Sequence, residues 1–278
     1  MGLEGLSINL ATVREQWDMR QAVDACVRHG ITAIAPWRNQ VAKIGLAEAA
    51  RIVRDNGLRV TDLCRGGMFP APDVASRQRQ IDDNRRAVDE AAALGADALV
   101  LVVGGLPEGS RDIAGARAMV RDGIAAVLPH ARASKVPLAI EPLHPMYAAD
   151  RACVNTMAQA NALCDELAPD GTDGLGLAVD VYHVWWDPLL RAEIIRAGER
   201  NRLFAYHICD WLVPTRDLLN DRGMMGDGVI DLPLIRGWMD AAGYRGMHEV
   251  EIFSAQDWWK RDGDEVLLTC RRRHAEAS

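Results

Sequence analysis

The chain of 278 residues is short of aromatic residues, of paired cysteines and of long apolar stretches. Phe, Tyr and Trp together make up 5% of the sequence, and none of the six cysteines belongs to a CxxC pair. Cysteines spaced in this way indicate free thiols, mostly buried, in a reducing compartment. Because there is no basic and apolar leader at the start and no run of about 18 apolar residues, we expect a cytoplasmic protein with no membrane association.

Positive charge is also scarce. The formal net charge is −7, and the longest basic run is the short segment Arg271–His274. Nucleic-acid binding needs clustered Lys and Arg to neutralise phosphates, so we expect no nucleic-acid partner. A composition of 49% hydrophobic and 26% charged residues is that of a folded globular chain and excludes a disordered one.

Short apolar runs alternate along the whole chain with longer segments at helical spacing. Apolar runs of this kind are typical of parallel strands that are buried on both faces. The predicted strands are Leu6–Leu10, Thr32–Pro36, Arg59–Leu63, Ala98–Val103, Leu138–Ile140, Gly176–Val179, Phe204–Ile208 and His248–Phe253. The predicted helices are Arg14–His29, Gly45–Asn56, Val74–Leu94, Asp112–Ser134, Asn155–Leu167, Leu189–Ala197, Leu232–Ala242 and Asp264–Glu276. A glycine follows four of these helices, which is a common C-terminal signal.

Eight such units of about 35 residues each predict a (β/α)₈ TIM barrel, an α/β fold, with the whole chain (1–278) as its single domain. A doubly wound open sheet shows the same alternation. It is disfavoured because the sequence has neither a GxGxxG fingerprint after the first strand nor a P-loop.

Four consecutive predicted strands carry a metal-binding side chain at or near their C-terminal ends: Glu141, Asp180, His207 and Glu251. A single carboxylate there is as often a helix cap or a salt-bridge partner. Four in register favour one shared divalent ion, since burying unpaired carboxylates costs free energy. Three oxygen donors and one imidazole suit Mn²⁺, Co²⁺, Fe²⁺ or Mg²⁺ better than a thiolate zinc site does. Glu249 points to the same side of its strand as Glu251, so either fits as the fourth ligand.

Four further polar residues lie near strand ends. Asp210 is a candidate for orienting His207. Asn9, at the end of the first strand, fits either a pocket or a turn, and Arg65 either reaches a substrate hydroxyl or lies in a surface loop. His144 either faces the pocket or packs beside Pro145.

The remaining histidines are predicted to lie outside the site. His29 at a helix end and His248 are expected to be structural. His130 and His274 are expected to lie on the surface.

Several strings resemble the sugar isomerase/epimerase superfamily of xylose isomerase-like barrels, and in particular its inosose isomerase-like branch. They are EPLHP (141–145), VNT (154–156), DVYH (180–183), YHICD (206–210), DRGMMGDGVID (221–231) and VEIF (250–253). The resemblance implies one divalent metal ion, most often Mn²⁺, held by Glu141, Asp180, His207 and Glu251, and so favours Glu251 over Glu249. It also implies that Glu141 and Glu251 are the catalytic acid/base pair.

The resemblance assigns substrate binding to His183 and Arg222. It further implies a small carbohydrate substrate and a homodimer or homotetramer. Ketose 3-epimerases carry a second Glu six residues after the first ligand, where this chain has Tyr147, so a simple ketose 3-epimerase activity is disfavoured.

The expected function is a metal-dependent isomerase or epimerase acting on a sugar, a keto-sugar or an inosose. It would work through a metal-stabilised enediolate with the two Glu ligands as acid and base. The alternative is a lyase or dehydratase that performs β-elimination on a keto-sugar or keto-glycoside, since both reactions begin with the same proton abstraction. An apurinic-site endonuclease would need more metal ions, more His ligands and a basic face, and a sugar-binding module would have no use for the acid/base pair.

Six of the eight tryptophans follow predicted strands, at the end of the barrel where such enzymes carry their active sites. Loop or subunit-interface packing is one interpretation. The other is a pocket wall, because an indole stacks on the apolar face of a sugar. Trp37 and Trp211 are the stronger candidates for the pocket.

Overall fold

A computed structural model of the chain describes residues 5–170 and 174–277 and shows a parallel barrel surrounded by helices. The barrel strands are β1 (Leu6–Asn9), β2 (Ala33–Ala35), β3 (Arg59–Val60), β4 (Leu63–Gly67), β5 (Leu99–Val102), β6 (Leu138–Ile140), β7 (Leu175–Asp180), β8 (Leu203–Ile208) and β11 (His248–Val250). A separate antiparallel pair is formed by β9 (Asp210–Trp211) and β10 (Arg222–Gly223). The predicted TIM barrel is therefore confirmed, as one domain.

The third barrel strand is broken into two pieces, and the barrel closes through this break. β3 pairs with β2, while β4 pairs with β5. Isolated bridges between Trp37 and Cys64 and between Val60 and Ala96 connect the two sides. The nine segments are thus eight barrel strands, with Thr61 and Asp62 at the interruption. The prediction of one continuous strand over Arg59–Leu63 was wrong in this detail.

Ten α-helices occur in the described ranges. They are α1 (Met19–Arg28), α2 (Arg38–Ile44), α3 (Leu46–Asp55), α4 (Val74–Leu94), α5 (Ile113–Ala133), α6 (Met157–Leu167), α7 (Val181–Val184), α8 (Leu190–Glu199), α9 (Leu232–Ala241) and α10 (Gly263–Ala277). Short 3₁₀ turns cover Leu10–Val13, Pro145–Tyr147 and Trp258–Lys260. None of the helices in these ranges is both long enough and apolar enough to cross a bilayer.

Helix ends follow local hydrogen bonding. α1 starts at Met19, not at the predicted Arg14, because the Asp18 carboxylate accepts from the Gln21 N–H and the Gln21 side chain accepts from the Asp18 N–H. Thr156 caps α6, so this helix starts two residues beyond the predicted first residue, Asn155. Asp112, the predicted first residue of α5, is its N-cap. The four glycines that follow predicted helices, at positions 30, 57, 95 and 243, all have positive φ, as a helix C-terminus requires.

The buried hydrophobic residues form two layers, one between the barrel strands and the surrounding helices and one inside the barrel. The large layer lies between strands and helices and holds most of the Leu, Ile and Val residues. The inner layer is small, and consists mainly of short side chains such as Ala139, Ala178 and Ala205. Each of these three lies two residues before a predicted metal ligand and so shares its side of the strand. Because these alanine side chains are short, they leave room inside the barrel for the polar groups at the C-terminal ends of the strands.

Candidate metal centre and substrate cavity

The structure brings the four predicted ligands together. Asp180 is the last residue of β7 and pairs directly with His207 of β8. Glu141 and Glu251 directly follow β6 and β11, so two strands separate them. All four side chains are buried, and each offers a ligand atom within 4.8 Å of the others.

The donor chemistry of this cluster fits a divalent cation. Burial raises the pKa of Glu141, and it raises the pKa of Glu251 to about 8 although Arg222 and His207 act in the opposite direction. Without a cation, the three carboxylates therefore lie close together in a buried place, and burial disfavours the ionised forms of Glu141 and Glu251. A divalent ion would neutralise them, and a set of three oxygens and one imidazole suits such an ion.

Arg222 connects two of the four residues. It follows the barrel strand β8 in the loop and strand pair that lead to α9, and its guanidinium donates to Asp180 at 2.9 Å and to Glu251 at 2.8 Å. A second nitrogen lies 3.2 Å from His183 Nε2. Burial lowers the pKa of His183 to about 3, so this imidazole is neutral and accepts from the guanidinium. The pair predicted to bind substrate is thus tied directly to the candidate metal ligands.

A hydrogen-bonded layer lies beneath the cluster, made of Asp62, Glu249, Thr61 and Asn9. Glu249 accepts from Asn9 Nδ2 at 2.8 Å and from the Thr61 hydroxyl at 2.6 Å. Asp62 lies 3.0 Å from His207 Nε2. Glu249 therefore faces the barrel interior but belongs to this layer, while Glu251 groups with the other ligands. The strand pattern did not single out Asp62. It is nevertheless a carboxylate next to a strand end, the feature that identified Glu141, Asp180 and Glu251.

Cys64 lies within ligand distance of Asp62 and Glu249, so these three form a second group of potential donors. Burial, with the nearby carboxylates, raises the pKa of the Cys64 thiol well above its usual range. The thiol therefore stays protonated, and the two carboxylates already have hydrogen-bond partners. This group serves as packing and support for the cluster above it.

A cavity of about 240 Å³ adjoins the cluster and is lined by Glu141, Glu251, His183, Arg222 and Trp37, among others. This volume lies just below the range of about 300–1,000 Å³ typical of sites for drug-sized ligands, which suits a small metabolite. Of the predicted substrate residues, Arg65 also lines it. Arg65 belongs to β4, so its alternative placement in a surface loop was wrong.

His144 and Trp211 are not among the cavity-lining residues of the described chain. They stack on each other, with ring centroids 5.2 Å apart, and Trp211 packs on Tyr182 at 4.7 Å. Tyr182 in turn contacts the wall residues His183 and Arg222, so Trp211 lies behind the wall and His144 packs against it. This geometry does not support the prediction that His144 and Trp211 contact the substrate.

Trp37 does lie in the wall. Its indole N–H donates to Asn9 Oδ1 at 2.8 Å, so Asn9 connects the wall to the carboxylates below. Residues that sequence reasoning did not single out also line the cavity. They are Arg14, Arg151, Asn220 and Phe253.

Asp210 has a different role from the predicted one. Its carboxylate accepts backbone N–H bonds from Trp211, Gly226, Gly228 and Ile230, and so organises the loop that carries Arg222. Within the described chain it makes no hydrogen bond to His207.

The other histidines lie away from the cavity. His248 is buried and its Nδ1 lies 3.1 Å from His274 Nε2. The prediction that His274 lies on the surface was wrong, because this contact buries it. His29 contacts Asp264 at 2.6 Å, which agrees with a structural role, and His130 lies at the surface beside Asp89.

A parallel barrel with mixed carboxylate and imidazole donors at the C-terminal ends of its strands defines a class of metal-site TIM barrels. The chain belongs to the xylose isomerase-like TIM barrel family, whose model matches residues 23–268. The predicted family resemblance is thereby confirmed.

Solved structures agree with this assignment. A protein from Sinorhizobium meliloti 1021 is 67% identical, with a TM-score of 0.97 and 99% of both chains covered. The IOLI protein with a bound zinc atom is 20% identical, with a TM-score of 0.83 over 98% of this chain and 97% of that one. A D-allulose 3-epimerase from Methylomonas sp. is 19% identical, with a TM-score of 0.79 over 99% and 98%. A search of curated proteins found no match.

Proposed function

We propose that the protein is a divalent-metal-dependent isomerase or epimerase that acts on a sugar, a keto-sugar or an inosose. The observation that carries this proposal is that Glu141 and Glu251 face one cavity while both belong to the buried four-residue cluster. When bound, a divalent ion would polarise the substrate carbonyl and acidify the neighbouring C–H group. We propose Mn²⁺ for this role, with Co²⁺, Fe²⁺ or Mg²⁺ as alternatives; the IOLI protein holds zinc.

The two glutamates provide the proton transfers. One carboxylate removes a proton from the carbon beside the carbonyl, and the other returns a proton. Two barrel strands separate the strands that the glutamates follow, and both side chains line the same cavity. Return to the other face of the same carbon gives an epimer, and return to the adjacent carbon gives an isomer. Burial raises the pKa of both groups, which favours carboxyls that can hold a proton as well as release it.

Residues of the cavity wall would orient the substrate. The guanidinium of Arg222, fixed by Asp180 and Glu251, presents N–H donors of defined direction beside the acid/base pair. The indole N–H of Trp37 is already bonded to Asn9, so its face is left for the apolar side of a sugar ring.

Exchange with solvent deuterium tests the proposal. We expect the Mn²⁺-loaded protein to introduce deuterium at the carbon beside the carbonyl of a keto-sugar or inosose. Glu141→Gln and Glu251→Gln should each lower the exchange rate by about 10²-fold or more, the usual contribution of general acid–base catalysis. Glu199→Gln, at the exposed end of α8, is the matched control. Full exchange in both active-site variants would refute the proposal.

A β-elimination on a keto-glycoside is the second candidate. A groove of about 530 Å³, lined in part by Trp17 and Lys43, shares Arg14 and Trp37 with the cavity. This groove offers space for a leaving group that extends out of the cavity. Release of water or an aglycone, seen by mass spectrometry, would distinguish elimination from isomerisation.

The remaining parts of the proposal come from the sequence and the family resemblance. They are a small carbohydrate as the ligand, no nucleic-acid or membrane partner, a cytoplasmic location and a homodimer or homotetramer. Light scattering on the purified protein tests the subunit number.

A further inference from the structure

Among the residues that the structure describes, two arginines in the cavity wall have no acidic side chain within ion-pair distance, unlike Arg14 and Arg222 in the same wall. Arg65 lies on β4, and Arg151 follows the 3₁₀ turn that contains Tyr147. Both line the cavity that Glu141 and Glu251 face. Within residues 5–170 and 174–277, neither guanidinium makes a hydrogen bond or an ion pair. The contact found for Arg151 is with the Tyr147 ring, at 5.5 Å from its centroid.

Neighbouring arginines show what the usual arrangement is. Arg222 is matched by Asp180 and Glu251, and Arg38 is matched by Asp83 and Glu90. Burial without such a match is unfavourable for a guanidinium. Burial lowers the pKa of Arg65, and repulsion from Arg151 adds to this effect. The two positive charges are therefore close enough to repel each other in a partly dry wall.

Glu141 attracts Arg65 electrostatically, but Glu141 also belongs to the metal cluster. The acidic side chains among the described cavity-lining residues are Glu141 and Glu251, against the guanidinium groups of Arg14, Arg65, Arg151 and Arg222. A divalent ion held by the two glutamates would leave less negative charge to offset Arg65 and Arg151.

We propose that Arg65 and Arg151 hold an anionic group of the substrate, a carboxylate or a phosphate, while Glu141 and Glu251 act on its carbon skeleton. This inference rests on the proposed function and narrows its substrate class to acidic sugars. Arginine is well suited to such a group, because its planar fork of N–H donors binds the oxygens of a carboxylate or phosphate in pairs.

Binding of three hexoses that differ at one position tests the inference. The Mn²⁺-loaded protein is titrated by calorimetry with D-glucose, D-glucuronate and D-glucose 6-phosphate. We expect at least one of the two anions to bind about ten-fold or more tightly than D-glucose, with a preference that weakens as salt increases. Which anion binds better distinguishes a carboxylate from a phosphate. Equal binding of all three, or no binding of either anion, overturns the inference.

Single substitutions then assign the preference to the two side chains. Arg65→Gln and Arg151→Gln should each bring the ratio of anion affinity to D-glucose affinity most of the way to one, while Arg65→Lys, which keeps the charge but not the fork, should retain part of the preference. Arg54→Gln, on the exposed face of α3, is the control. Loss of affinity for neutral and anionic sugars alike would contradict the assignment. If a substitution prevents folding, the comparison of the three ligands on the unsubstituted protein still decides.

The two proposals fail in different ways. An anion preference without deuterium exchange on any sugar would leave the anion site in place and refute the isomerase. Exchange on neutral keto-sugars without an anion preference would refute the anion site alone.

Discussion

The Nε2 atom of His207 lies 3.0 Å from a carboxylate oxygen of Asp62, while Nδ1 of the same ring faces Glu141 at 3.2 Å. Burial alone lowers the pKa of His207, but Glu249, Asp62 and Glu141 outweigh it and raise this pKa well above its usual range. Asp62 therefore keeps a proton on Nε2 and directs Nδ1 toward the metal cluster. A carboxylate in this position both orients a ligand imidazole and increases its basicity.

The first prediction concerns metal affinity. Asp62→Ala should weaken divalent-metal binding by about 10- to 100-fold, because the ring loses the partner that fixes its orientation and tautomer. Asp62→Asn should have a smaller effect, since the amide oxygen still accepts from Nε2. Competition titration with a chelating indicator measures both. Asp24→Asn, at an exposed position of α1, is the control, and unchanged affinity in Asp62→Ala would contradict the role given to Asp62.

The second prediction concerns the pH dependence of metal binding. Burial raises the pKa of Glu251 to about 8, against the opposing effects of Arg222 and His207. The carboxyl must lose its proton to bind a cation, so this group alone should increase metal affinity by about ten-fold for each pH unit up to about 8. Glu251→Gln should bind metal weakly and lose this part of the dependence. Calorimetry in buffers of different ionisation enthalpy should show proton release on binding, and affinity independent of pH between about 6 and 9 would contradict the prediction.

The same shift has a consequence for the metal-free protein. The folded state holds the Glu251 proton more tightly than the unfolded state does. The contribution of Glu251 to the free energy of unfolding should therefore decrease as the pH rises from 4.5, the ordinary value for Glu, toward about 8. Added metal should restore stability over this range, which chemical denaturation with and without the ion will show.

The candidate ligands were predictable because a parallel barrel brings the C-terminal ends of its strands together. Glu141, Asp180 and His207 each lie at a strand end, so chain order alone placed them near one another. The choice of Glu251 over Glu249 depended on the family resemblance, since the two side chains share one side of the strand. The structure separates them by depth, as Glu249 bonds with Thr61 and Asn9.

Other parts of the site depend on features that a strand pattern does not contain. Asp62 lies in the break between β3 and β4, where an apolar run looked continuous. His144 and Trp211 occupy long loops after strands, and their mutual stacking decides where they lie. Arg151 was not singled out because its proposed role depends on a neighbour, Arg65, that is distant in sequence. Position along the chain predicted which end of the barrel carries these residues and not which of them face the cavity.

The third prediction concerns stability in acid. His248 and His274 contact each other at 3.1 Å, and burial lowers the pKa of each to about 4, with Arg236 contributing in the same direction. The unfolded state binds protons at these groups below about pH 6.5 and the folded state does not. Stability present above pH 6.5 should thus be lost as the pH falls toward 4, by up to about 3 kcal/mol for each histidine.

Urea unfolding at pH 7, 6 and 5 measures this effect. His274→Gln keeps a hydrogen-bonding group but does not titrate, so its stability should fall less steeply with decreasing pH. His130→Gln, at an exposed position, should follow the unsubstituted protein. Equal slopes in all three proteins would show that the buried pair is not the source of acid sensitivity.

The fourth prediction concerns Asn84, a fully buried residue of α4 that holds the strand carrying Arg65. Its Nδ2 donates to the carbonyl of Gly67 at 2.7 Å, and its Oδ1 accepts from the Gly67 N–H at 2.6 Å. A Cβ at Gly66 would lie 2.7 Å from this amide oxygen, so the close approach requires glycine there. The amide thus fixes β4 two residues beyond Arg65.

Asn84→Ala removes the side-chain hydrogen-bond partner of both the N–H and the carbonyl of Gly67, a buried residue. The free energy of unfolding should fall by about 2–6 kcal/mol, from a cost of roughly 1–3 kcal/mol for each of the two unsatisfied groups. Because β4 is then less firmly held, the preference for an anionic over a neutral hexose should also decrease, while metal affinity changes little. Gln78→Ala, on the exposed face of α4, is the control. A variant with lower stability and an unchanged anion preference would show that Asn84 supports the fold without positioning Arg65.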